Sequence, residues 1–363
     1  MPKRVANSIE RRYLPDRKCK KPKTSDRLLE NMPKRVENQD KRDESQNCKK
    51  SKEDEKNWNN MPNEIKAMIM GNMDLVTRTR LMMCSKSDKC LVETFPIVMP
   101  IMLAHFQTKP REPACLILID RSEEYSEVRI SHISNKIRIK KFDEAEKVHH
   151  HKNKKQAFKV FESYFYKILL AKNIRIEHFN VEWNLDESKI PVGHLFHFDI
   201  VYIFCKESEE CIKWLRHVAP SVKRISYHDD VRGIGDIPCV LNANHLSFSN
   251  TDINEEQLLS LKATQLSFHS PNVTIDGIMK LIKKWIDEDY PLDSSFDISL
   301  PSTPLPTIEQ LFDGMNYKFE RIETTSQVTI EMGPDKEICV EIKKDGDRIW
   351  IDGNIFSETL SDY

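Results

Sequence analysis

The chain has 363 residues, 39% hydrophobic and 31% charged, with a formal net charge of −1. That is enough apolar material for two or three packed domains. No run approaches the roughly 18 consecutive apolar residues of a membrane span, and the near-zero charge excludes bulk attraction to nucleic acid or acidic lipid.

The first residues, MPKRVANSIERRY, lack the apolar stretch of a secretory signal. The expectation is a cytoplasmic or nuclear protein. Nine cysteines, an odd number without CxxC spacing, indicate neither a disulfide framework nor a zinc ribbon.

From Met1 to Lys56 the sequence holds 18 Lys or Arg against 11 Asp or Glu, a local excess of +7, and few large apolar residues. Such a segment cannot offset the entropy of ordering and is expected to be a disordered basic tail. MPKRV occurs twice, at Met1 to Val5 and at Met32 to Val36, which reads as a duplicated, weakly constrained tail. The cluster RRYLPDRKCKKPK, Arg11 to Lys23, also suits an acidic import-receptor groove.

Three short amphipathic helices are predicted between Asn57 and Phe95. Asn60 can cap the first, with Pro62 and Glu64 in its first turn, Ile65, Met68, Ile69 and Met73 at helical spacing, and Gly71 with Asn72 at its end. A second starts near Asp74 and carries Leu75, Val76, Leu81 and Met82; a third follows Ser85 to Ser87 and stops at Pro96. A unit of about forty residues is too small to bury so many apolar faces by itself. Either the rest of the chain or another protein covers it.

The stretch resembles an F-box. The resemblance rests on Met61, Pro62, Glu64, Ile65, Ile69 and Met70, then Met73, Asp74 and Leu75, then Arg80 and Leu81, then Cys84, Ser85 and Lys86. The wording is most similar to the F-box proteins expanded in nematodes. Met replaces Leu at positions 61, 70 and 73, which keeps apolar volume, and polar Thr79 stands where an apolar residue is usual. The resemblance implies that a Skp-type adaptor, joined to a cullin, covers the helices, with Pro62, Ile65, Ile69, Leu75, Leu81 and Met82 as the adaptor-binding residues.

Further on, Ala114 to Phe142 alternates as short antiparallel strands. A helix then carries Phe158, Phe161, Phe165, Ile168 and Leu169 on one side, a core stripe rather than a platform for bases. LSFSNTDINEEQLLSLK from Leu246 and LSFHSPNVTIDGIMKLI from Leu266 repeat at an offset of twenty, each a strand, turn and helix, with Asn254 and Thr274 at cap positions. RISY at Arg224 and FDISL at Phe296 offer flanking strands. Units of this kind are similar to leucine-rich repeats. After a loop and short helix beyond Pro301, antiparallel strands turn at Gly333-Pro334 and Asp345-Gly346. IMKLIKKWIDEDYPLDSSFDISL and VEIKKDGDRIWI also resemble the F-box-associated domains of the nematode proteins.

The expected fold is therefore α+β or α/β. It comprises a basic tail (1–56), a three-helix F-box (57–105) and a substrate-binding F-box-associated domain (106–356), irregular and leucine-rich-repeat-like with terminal antiparallel strands. No catalytic, cofactor or metal site is predicted. His149, His150 and His151 point different ways, and His194 and His197 lack a third ligand nearby. No Walker loop, GxSxG elbow or dinucleotide glycine pattern occurs. Cys84 and Cys90, in apolar helical settings, are expected to be inert buried thiols. The expected function is a non-catalytic substrate receptor of an SCF-type ubiquitin ligase, with the adaptor, a cullin and an unidentified target protein as partners. The alternatives are a nucleic-acid-associated protein using the basic tail and an F-box scaffold without ligase activity.

Overall fold

The computed structural model describes residues 58–357 apart from 59–60, 72, 74, 96, 106–113, 121–125, 142–144, 172–173, 303, 305, 323–324 and 334. The basic tail with its MPKRV repeat, together with Asn60, Asp74, Pro96 and Pro334, lies outside the described residues.

Helices α1 (Asn63–Gly71), α2 (Leu75–Met82) and α3 (Lys86–Thr94) come first. Pro62 stands one residue before α1 rather than within its first turn, and its carbonyl accepts the Lys66 N–H at 3.1 Å. A proline there leaves the helical ladder intact because it lends an acceptor and no donor is required of it. Ser85 caps α3 by accepting the Asp88 N–H at 3.0 Å.

Strand β1 (Ile97–His105) opens the sheet. This corrects the sequence reading, which grouped residues 97–105 with the helices. Alternating burial from Ile97 to Met99, and again at Met102 and Ala104, fits β1 between β6 (Ile174–Glu182) and β2 (Ala114–Asp120). Strands β3 (Ser126–Ile133), β4 (Lys136–Lys141) and β5 (Lys147–His150) continue outward as an antiparallel meander. Ser134 turns β3 into β4 with φ 58°.

Helix α4 (Lys154–Leu169) follows, and its aromatic stripe is core. Trp183 stacks on Phe158, Phe161 and Phe165 at 5.1 to 5.7 Å between centroids. The Trp214 indole donates to the Trp183 carbonyl at 2.7 Å, so the polar edge of the cluster is also satisfied.

After β6 come β7 (His197–Ile203), α5 (Ser208–His217), β8 (Arg224–Val231), α6 (Pro238–Asn242), β9 (His245–Thr251), α7 (Glu255–Ser260), β10 (Gln265–His269), α8 (Ile275–Asp287) and β11 (Ser295–Pro301). The strands β1, β6, β7, β8, β9, β10 and β11 are neighbours in that order and all parallel. The twenty-residue repeat is in register from His245 to Ser247, which lie opposite Gln265 to Ser267, before the pairing shifts by one at His269; Leu266 in turn lies opposite Phe296. Asn254 closes a capping box with Gln257, and Thr274 accepts the Gly277 N–H. Side chains also tie one unit to the next, the first two of these contacts at the same twenty-residue spacing. Lys262 reaches Asn242 at 2.9 Å, Asn272 reaches the Asp252 carbonyl at 2.9 Å, and Lys284 of α8 donates to the carbonyls of Leu259 and Leu261 at the end of α7.

A short helix, α9 (Ile308–Leu311), leads into β12 (Tyr317–Ile322), β13 (Thr325–Gly333), β14 (Lys336–Asp345) and β15 (Arg348–Phe356). These run antiparallel, and β15 joins the parallel block beside β11. Strand β12 was not anticipated from the sequence. The Asp345-Gly346 turn was, and Gly346 supplies the positive φ of 62° that it needs.

One face of this single fifteen-stranded sheet carries the core. A cross-strand row runs from Leu118 through Met102, Phe179, Val201, Ile225, Leu246, Leu266, Phe296, Gly353 and Val340 to Val328. All of its side chains are buried, each large one contributing roughly 1.5–3 kcal/mol. Gly353 is glycine because the Phe296 ring occupies the place of a Cβ. Met70 and Val92, the buried apolar residues described in the helical unit, fall outside this contiguous core.

Candidate functional site

Two surfaces stand out, one on the N-terminal helices and one on the sheet. The helices are locked by groups that sequence reasoning missed. Asp88 is buried in the first turn of α3, where its carboxylate accepts from the Trp58 indole at 2.6 Å and the Ser85 hydroxyl at 2.7 Å. The Ser85 and Trp58 hydrogen bonds hold its carboxyl below the usual range. Arg78, also buried, donates Nε to the Met73 carbonyl at 3.2 Å and Nη1 to the Phe95 carbonyl at 3.4 Å, joining the α1–α2 turn to the end of α3. The Ser-x-x-Asp spacing from Ser85 was a legible cap signal; the long-range Trp58 contact was not.

Locking by polar groups leaves apolar side chains outside. On α1, Met70 is fully buried while Ile65 is 44% and Met68 68% exposed. Pro62 is exposed, Ile69 is half-buried, and the spacing of 62, 65 and 69 places them on one stripe. Leu81 and Met82 are half-buried in the last turn of α2, followed by exposed Met83. The side chains of Leu75, Val76, Thr79 and Arg80 lie outside the described residues. The expectation for the thiols is corrected: Cys84 and Cys90 are both exposed, and for Cys90 the reason is that α3 turns Val92 and Asp88 inward.

The second surface is the sheet face opposite the core. Arg224, His245, Gln265, Ser295 and Asn354 form one cross-strand row, and Ser226, Ser247, Ser267, Asp297, Asp352 and Glu341 form the next. The acidic end lines a groove of about 390 Å³ with His245, Gln265 and Asn354. Burial first, and the neighbouring Asp297 carboxylate second, push the Asp352 carboxyl up to about 6. Toward β6, Asp199 is pinned by both nitrogens of the Arg175 fork, at 2.7 and 2.8 Å, and by Lys223 at 3.1 Å.

No arrangement for covalent chemistry emerges among the described residues. Burial raises the thiols of Cys205 and Cys239 to about 12 and raises that of Cys211 as well, which keeps them protonated. His149 and His150 alternate along β5, opposite Ile137 and Lys136, and no group of metal-ligating residues is assembled among the described residues. His194 packs its ring against Phe196 at 5.3 Å, and His197 begins β7. No helix among the described residues is long and apolar enough to cross a membrane.

Residues 58–98 match the F-box domain family. The match spans the three helices and ends at the second residue of β1. Neither a curated protein nor a solved structure matches the chain.

Proposed function

We propose that this chain is the substrate-recognition subunit of an SCF-type cullin-RING ubiquitin ligase, with the F-box helices docking a Skp-type adaptor that leads to the cullin. The F-box match on a unit that leaves Pro62, Ile65 and Met68 exposed carries this reading. Apolar residues left outside a locked bundle supply the kind of surface that is buried in a stable protein interface. Pro62, Ile65, Ile69, Leu75, Leu81 and Met82 are the proposed adaptor contacts.

The target protein is received by the remainder of the chain, which we read as a nematode-type F-box-associated domain built on leucine-rich-repeat-like units. The sheet face opposite the core is the proposed receiving surface, since its polar rows are partly exposed and run across four of the parallel strands, β8 to β11, onto β15 and β14. The contribution to rate is proximity. Holding target lysines near the charged partner enzyme raises their effective concentration, and the transfer itself belongs to that enzyme. A cytoplasmic or nuclear location follows from this role.

The experiment is co-purification of the full chain with a Skp-type adaptor. A one-to-one complex that Ile65→Asp abolishes supports the reading, because the substitution places an unpaired charge in an apolar contact. A chain that ignores the adaptor, or an Ile65→Asp variant that still binds it, overturns the assignment.

A further inference from the structure

The two edges of the sheet differ in a way that the receptor function does not require. At one end β5 has only four residues, all exposed, and it carries Lys147 and a pair of histidines; short, charged edges resist further pairing. At the other end β12 is six residues long, without proline, and its outer N–H and C=O groups face no further strand of the sheet. Strand β12 also interrupts the core. Phe319 lies opposite Val328 and is therefore the last member of the buried row, yet it is 43% exposed where Val328 and Val340 are fully buried. On the other side of the strand, Lys318 reaches Glu337 at 3.6 Å, while Glu320 has no ion-pair partner among the described residues.

We infer that β12 is a self-complementary edge that pairs antiparallel with β12 of a second copy of this chain, about a two-fold axis through Phe319. Antiparallel pairing centred on residue 319 sets each residue against the one whose number completes the same sum. Phe319 then meets Phe319 of the second copy, and Lys318 meets Glu320 in both directions. Like-with-like contact of the aromatics continues the apolar row from one core into the next, and the two opposite-charge pairs fix the register. A one-residue slip would set Phe319 against Glu320 or against Lys318, so the centred register is favoured by apolar matching and by charge. Such a closed, isologous contact gives a dimer and leaves no open β12 edge. A dimer would present two receiving faces, so a target with repeated sites gains avidity without new contacts.

The test uses the full chain, with molar mass read by light scattering over a range of concentrations. The parent chain is expected to dimerise. Glu320→Lys and Lys318→Glu should each be monomeric where the parent is dimeric, with dimer affinity lowered on the order of tenfold or more. Mixing the two variants should restore a dimer of one copy of each, because positions 318 and 320 are then both lysine on one copy and both glutamate on the other. This restoration also demonstrates that both variants are folded, which matters because Lys318→Glu brings a second carboxylate toward Glu337. A parent chain that stays monomeric, a dimer that persists in Glu320→Lys, or variants that fail to recombine would each overturn the inference.

Discussion

Replacing Asp352 by Asn removes one of three carboxylates that β11, β15 and β14 bring side by side, Asp297 opposite Asp352 and Asp352 opposite Glu341. Like charges directly opposite on neighbouring strands oppose pairing. The carboxyl of Asp352 titrates at about 6 in the folded chain, against 3.8 without these surroundings, first because it is buried and then because Asp297 is beside it. A folded-state value above the unfolded one means that the folded protein holds more protons between those limits. Stability from this group is thus fully present below pH 3.8 and is lost as pH rises through about 6. At about 1.4 kcal/mol per pH unit the ceiling is about 3 kcal/mol, and partial solvent screening reduces it to roughly 1–2 kcal/mol. Asn keeps the shape and a hydrogen-bond donor toward Asp297 without the charge. The variant should therefore melt about 2–6 °C higher than the parent at pH 7.5 and at the same temperature near pH 3.5. Thermal melts followed by circular dichroism across pH 3.5–8 read this difference. A variant less stable than the parent at neutral pH, or a gain that does not vary with pH, would refute the reasoning.

Other expectations follow from single contacts. Ile65→Asp should leave the helical circular dichroism signal and melting temperature within experimental scatter of the parent, since Ile65 is already 44% exposed, while removing adaptor binding. Ser85→Ala removes both the cap of α3 and one donor to Asp88, and should cost about 1–2 kcal/mol in urea unfolding. Gly353→Ala drives a methyl group into the Phe296 ring in the middle of the core row, and a loss of about 1–3 kcal/mol is expected by the same measurement. His132 is buried against Phe158 and Phe161, and burial holds its pKa below 6.5. The folded state therefore resists its protonation, and stability should fall as pH drops below 6.5. His132→Gln should flatten that acid-side slope, and a slope identical to the parent would count against it.

Much of the architecture was legible before any coordinates. The offset-twenty repeat matched Leu246 with Leu266, and the two lie opposite each other on β9 and β10, because a strand can present its apolar residues to the core in only one phase. Asn254, Thr274 and Ser85 marked helix starts, because their side-chain oxygens serve donors two or three residues away. Local signals of this kind are written in the order of the residues. They do not say which segment a strand pairs with, and so β1 was grouped with the helices before it, although its partner β6 lies beyond an antiparallel meander and α4.

The same division runs through the functional surfaces. The sequence determined that a helical unit near Pro62 and Ile65 is too apolar for its size, and the F-box resemblance rested on residues that a reader can count. Only the tertiary structure decided which of those residues remain outside: Ile65 and Met68 face solvent while Met70 does not. It also decided that Trp58 and Arg78 lock the bundle and that Cys90 points outward. On the sheet, Asp297, Asp352 and Glu341 are far apart in the chain and adjacent only through the pairing of β11, β15 and β14. Periodicity specifies which face a residue takes. The assembly of one face from many strands is a long-range choice, made by backbone pairing and by the apolar row that the whole sheet must bury together.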